Sequence, residues 1–111
     1  MIKSQSKALV KYQAKTIKKY AVIDKKAKFN SVLSLHKEND KTVIDLLEKV
    51  KSAGSSVNGY ILGLIKKDQK KNGAEDLDIK MYIQSLRQSD LFFSFNAYVK
   101  KLILEDQANN N

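Results

Sequence analysis

Apolar residues fall into short stripes along the chain, and the spacing changes from one stripe to the next. Between residues 3 and 22, Leu9, Tyr12, Ile17, Tyr20 and Ala21 are interleaved with lysines at three- and four-residue spacings. That stripe is thin, and like charges four apart repel on a helix. It reads as a mobile arm, or as a helix that orders on binding. Residues 29–36 change character: Ser31, Leu33 and Leu35 fall on one side of a strand, and Val32, Ser34 and His36 on the other. A single strand in an otherwise helical chain has unpaired backbone groups, and the simplest partner is the same strand of a second subunit. The strand therefore predicts a dimer.

Two helices follow. Glu38 to Thr42 supplies helix-start chemistry, with Asn39 or Asp40 as N-cap, and Val43, Leu46 or Leu47, and Val50 recur at helical spacing. Gly54 suits a left-handed C-cap, and Ser55 and Ser56 suit the cap of the next helix. Val57, Tyr60, Ile61, Leu64 and Ile65 form that helix's buried stripe, and Asn72-Gly73 stops it. A second helix pair repeats the pattern. Phe95, Tyr98, Val99, Leu102 and Ile103 lie 38 positions after Val57, Tyr60, Ile61, Leu64 and Ile65. Ser94-Phe95-Asn96 likewise echoes Ser56-Val57-Asn58, and Ile79, Tyr82, Ile83 and Leu86 form the preceding stripe. The divisions expected are an arm at 1–28, a strand–helix–helix unit at 29–72, a helical hairpin at 76–105 and a disordered tail at 106–111. Leu91, Phe92, Phe93 and Phe95 make an unusually apolar cluster. They read as core first, and otherwise as a patch for a protein partner or higher-order contacts through Leu91, Phe92 and Phe93.

Charge sharpens the picture through its location. Of the net +9, residues 1–30 carry nine lysines against the single acid Asp24, whereas 31–111 are nearly balanced. Such a segment is drawn to a polyanion, nucleic acid or anionic lipid, the bland alternative being a solvated face that keeps the protein soluble. The chain has no cysteine and one histidine, so thiolate catalysis and thiolate metal sites are excluded. No phosphate-cradling glycine loop is present, and the acids lie mainly on helix faces; a non-enzyme without cofactor or metal is expected. No apolar run approaches the ~20 residues of a membrane span, which points to a cytoplasmic protein, nucleoid- or plasmid-associated, without a membrane partner.

In order and spacing, residues 29–70 resemble the ribbon-helix-helix family of Arc/MetJ-type repressors. The resemblance rests on the alternating strand, the helix Val43 to Val50, and the turn Gly54-Ser55-Ser56-Val57-Asn58 leading into Tyr60-Ile61. It implies a mainly α fold with one short strand, an intertwined homodimer whose strands pair antiparallel between subunits, and a C-terminal helix pair beyond the family's core. It also implies double-stranded DNA as partner, with Val32, Ser34 and His36 reading base edges in the major groove. Lys25, Lys26, Lys28 and Lys37 would meet phosphates, as would the start of the second helix at Ser55, Ser56 and Asn58, where free N–H groups and partial positive charge favour an anion. Leu33, Leu35, Val43, Leu47, Val50, Val57, Tyr60, Ile61 and Leu64 would form the dimer core. The function expected is a sequence-specific DNA-binding transcriptional repressor. The alternatives are a plasmid partition, copy-control or relaxosome accessory protein, or a helical interaction module such as an antitoxin.

Overall fold

A computed structural model describes residues 16–110. Their order is β1 (Ile17–Asp24), β2 (Phe29–His36), α1 (Lys41–Ser52), α2 (Val57–Lys71), α3 (Ile79–Ser89) and α4 (Phe95–Asn110). The strands pair antiparallel, from Ile17 opposite His36 to Asp24 opposite Phe29. Two strands and four helices, mostly helical overall, thus share one apolar core running from Val22 to Ile103.

This pairing corrects the expectation of one strand completed by a second subunit. The partner of β2 comes from the same chain, from residues 17–24 of the supposed arm; residues 1–15, with Leu9 and Tyr12, lie outside the described residues. The strand was hidden because one of its inward positions is a lysine. Lys18, Tyr20 and Val22 face the helices. Val22 is fully buried, and the Tyr20 hydroxyl donates to Glu48 Oε2 at 2.9 Å. The Lys18 Nζ sits 5.8 Å from the Tyr20 ring centroid and 3.7 Å from Glu48 Oε1. Burial and that carboxylate push the Tyr20 phenol well above its ordinary pKa.

The hairpin turns through Lys25–Lys28. Asp24 Oδ1 accepts the N–H groups of Lys26 and Ala27 at 3.1 and 3.3 Å, an aspartate turn that pre-shapes the loop. Lys28 takes a left-handed conformation, φ 53°, to re-enter β2. Farther along, Gly54 adopts φ 86°, and the Ser55 N–H returns to the Val50 carbonyl at 3.1 Å, closing α1 as its sequence suggests. Ser56 caps α2 by accepting the Gly59 N–H at 3.1 Å. Asp40 stands at the N-cap of α1, but its side chain makes no capping bond.

Leu33, Leu35, Val43, Leu47, Ile61 and Leu64 are buried, with Val57 and Tyr60 packed against them. They serve a core within one chain, and Val50 stands half-buried outside it. The second helix pair belongs to the same core through Ile79, Tyr82, Ile83, Phe95, Val99, Leu102 and Ile103. The aromatic cluster divides. Phe95 is buried against Phe29, ring centroids 5.9 Å apart, and Phe93 packs on Tyr98. Leu91 and Phe92 are corrected from core to surface, more than nine-tenths exposed in the α3–α4 turn. The tail expected from residue 106 is also corrected: α4 runs to Asn110, and Asp106 accepts the Tyr60 hydroxyl at 2.6 Å.

That last bond has a counterpart. The Tyr98 hydroxyl donates to Asp68 Oδ2 at 2.6 Å, and Tyr98 and Asp106 stand 38 positions after Tyr60 and Asp68. Each repeat's tyrosine thus reaches the other's aspartate, the reciprocity of a two-fold interface. The sequence repeat is therefore an internal pseudo-two-fold of the structure. Asp68 also accepts the Tyr82 hydroxyl at 2.7 Å.

Burial first, then the hydrogen-bonded carboxylates, raise the phenols of Tyr60 and Tyr98 far above their ordinary value of 10.0. A raised phenol pKa stabilises the fold fully below the unfolded value and loses that contribution as pH rises above it. Tyr60→Phe and Tyr98→Phe should therefore each cost about 1–2 kcal/mol in denaturant titrations at neutral pH. The deficit of each should shrink relative to the parent chain above about pH 10.

Candidate nucleic-acid interface

Cross-strand partners in an antiparallel pair share a face. With Val22, Leu33, Leu35 and Phe29 turned to the helices, the opposite face carries Ile17, Lys19, Ala21 and Ile23 on β1, and Asn30, Val32, Ser34 and His36 on β2. The three strand residues marked by sequence as base readers thus lie on one open face. Val32 is 48 % exposed at its centre, opposite the exposed Ala21. Sequence reasoning missed the β1 half, Lys19 above all. The signal was present in the alternation of residues 17–24, but it was masked by lysines on both faces.

The helices hold the ribbon by its outer edges. At Ile23, the Asn58 amide accepts the backbone N–H at 2.7 Å and donates to the carbonyl at 2.9 Å. At Ser34, on the other strand, Asn96 Oδ1 accepts the backbone N–H at 3.0 Å. Asn58 and Asn96 each sit two residues beyond a capping serine, Ser56 and Ser94, which accept the N–H groups of Gly59 and Ala97. The beginnings of α2 and α4 therefore flank the ribbon on opposite edges.

The residues assigned to phosphate separate accordingly. Lys25, Lys26 and Lys28 are exposed on the hairpin loop, and Lys37 is exposed beyond β2, so basic groups mark both ends of the ribbon. Ser55 and Ser56 are exposed beside β1, but the Ser55 N–H is already bonded to Val50. The donors left without a partner inside α2 are the first-turn N–H groups of Val57 and Asn58. The Asn58 side chain is not free for an anion, because both its polar atoms serve Ile23.

His36 is fixed from behind. Its Nδ1 accepts the N–H groups of Glu38 and Asn39, each at 3.3 Å, so the other ring nitrogen carries the proton in the neutral tautomer. The His36 backbone N–H donates to Asp40 Oδ2 at 2.8 Å, and Lys100 Nζ donates to Asp40 Oδ1 at 3.2 Å. Burial pushes the Asp40 carboxyl up, but these donors pull harder, and its pKa lies below the ordinary value. The strand end, the α1 start and α4 are thereby pinned together.

Between residues 16 and 37 there are six lysines, at 18, 19, 25, 26, 28 and 37, and one acid, Asp24, whose carboxylate is held by the loop; of the six, Lys18 turns inward to Glu48. Among the described residues no group of three or more histidine, aspartate or glutamate side chains is placed to hold a metal ion. No helix among them is long and apolar enough to cross a membrane.

Because each asparagine satisfies an edge group that would otherwise be left unpaired, Asn58→Ala should destabilise the chain by about 2 kcal/mol and Asn96→Ala by about 1 kcal/mol in chemical denaturation. Negligible losses for both variants would show that neither asparagine clamps a strand edge. Compared with models of protein families, with curated proteins and with solved structures, the chain gives no match.

Proposed function

We propose that the protein is a sequence-specific DNA-binding regulator that lays the open face of its β-hairpin into the major groove. The observation that carries this reading is a two-stranded face, left uncovered by the described residues, in the basic N-terminal part of the chain. Lys25, Lys26 and Lys28 stand at one end of it and Lys37 at the other. A two-stranded ribbon suits a major groove about 12 Å wide. Its polar side chains, Lys19, Asn30, Ser34 and His36, present donors and acceptors to base edges, while Ala21 and Val32 suit a thymine methyl. The lysines would supply most of the affinity by displacing counterions, and the ribbon the discrimination. The resemblance of residues 29–70 to ribbon-helix-helix repressors supports the same reading. Repression of transcription is the role that best fits a small chain offering a DNA face.

Duplex binding followed by fluorescence anisotropy tests it. Affinity should fall on the order of 10³-fold between about 50 and 200 mM salt, as expected for several phosphate contacts. No binding at low salt, or binding indifferent to salt, would overturn the proposal. Val32→Glu, which puts a negative charge at the centre of the open face, should abolish duplex binding while leaving the unfolding transition within about 0.5 kcal/mol of the parent. Undiminished binding would move the interface elsewhere.

A further inference from the structure

We infer that one chain is a complete DNA-reading unit for a site without dyad symmetry, with Lys19 and Asn30 as its two principal base readers. This rests on the DNA-binding reading of the ribbon face and goes on to its stoichiometry and the form of its site. The internal pseudo-two-fold carries the inference. It maps α2 onto α4, exchanging the Tyr60–Asp106 and Tyr98–Asp68 pairs. It must then also exchange the strand edges held by Asn58 and Asn96, at Ile23 and Ser34. Those positions differ by 11 residues, and in the observed register such a shift places the axis at the Ala21–Val32 pair. The fully buried Val22 and Leu33 obey the same relation.

Two consequences follow. First, the two strands and four helices that a symmetric ribbon protein would draw from two subunits are present in one. Asn58 and Asn96 also occupy part of each outer edge, where a second copy would have to add a strand. Second, matched positions of the open face carry different chemistry. Lys19 matches Asn30, and Ile23 matches Ser34. An identical dimer offers the same groups twice and so reads a palindrome. Lys19 offers donors only, suited to guanine O6 and N7. Asn30 offers a donor and an acceptor, suited to adenine N6 and N7. Both side chains are exposed, and they lie two residues on either side of the axis. At ~3.3 Å per residue their base contacts fall about 13 Å apart, roughly four base pairs along the duplex at 3.4 Å each.

The test is selection of bound duplexes from random DNA with the full chain, followed by sedimentation of the chain with the selected duplex. The expected result is a motif lacking dyad symmetry and one chain per duplex at limiting protein. Lys19→Ala and Asn30→Ala should each lower the preference for the selected base at its own position by roughly five- to a hundredfold. Unfolding transitions should stay unchanged. A palindromic motif occupied by two chains would overturn the inference while leaving DNA binding intact. So would variants that weaken all duplexes equally. Absence of duplex binding at low salt would remove both the inference and the function on which it rests.

Discussion

Everything in this molecule depends on residues 17–24 pairing with residues 29–36 of the same chain. The pairing satisfies the backbone of both strands and gathers Val22, Phe29, Leu33 and Leu35 onto one face. That face packs mainly against α2 and α4 and joins the helices' apolar stripes in one core. Among the described residues no element packs on the opposite face, which leaves it the open side of a sheet packed on one side. Fold and candidate interface are two sides of one hairpin.

The helices add positional control. A serine cap followed two residues later by an asparagine occurs at the start of α2 and again at α4, and each asparagine finds a different edge of the ribbon. The tyrosine–aspartate exchange ties the same two helices to each other. These polar links lie between largely buried apolar stripes, where an unmade hydrogen bond is costly, so they fix the ribbon's place on the helices more sharply than apolar packing alone. The arrangement presents basic groups at both ends of the ribbon and polar side chains along its open face.

Much of this was legible in the residues. The two-residue alternation of Leu33 and Leu35 marked β2, and the three- and four-residue stripes marked all four helices. Gly54 and Ser56 marked the break between α1 and α2. The repeat from Ser56 to Ser94 was also visible, although its meaning needed the contacts of Asn58 and Asn96. β1 was not legible, because Lys18 fills an inward slot and Ala21 an outward one, which flattens the alternation. A lysine whose ammonium sits over an aromatic ring and beside a carboxylate can occupy an inward slot that sequence alone reads as solvent-facing. Asp40 holds the N-cap position as read, but its carboxylate serves His36 and Lys100 instead of the helix, and Leu91 and Phe92 read as core but stand exposed in the α3–α4 turn.

The most direct measurement of the central claim is an isotope-filtered nuclear Overhauser experiment on a sample mixed from labelled and unlabelled chains. The account predicts that the cross-strand contact between Ala21 and Val32 appears only within a labelled chain, at every concentration. A contact between those residues of differently labelled chains would show that the ribbon is built between subunits, and would contradict the account.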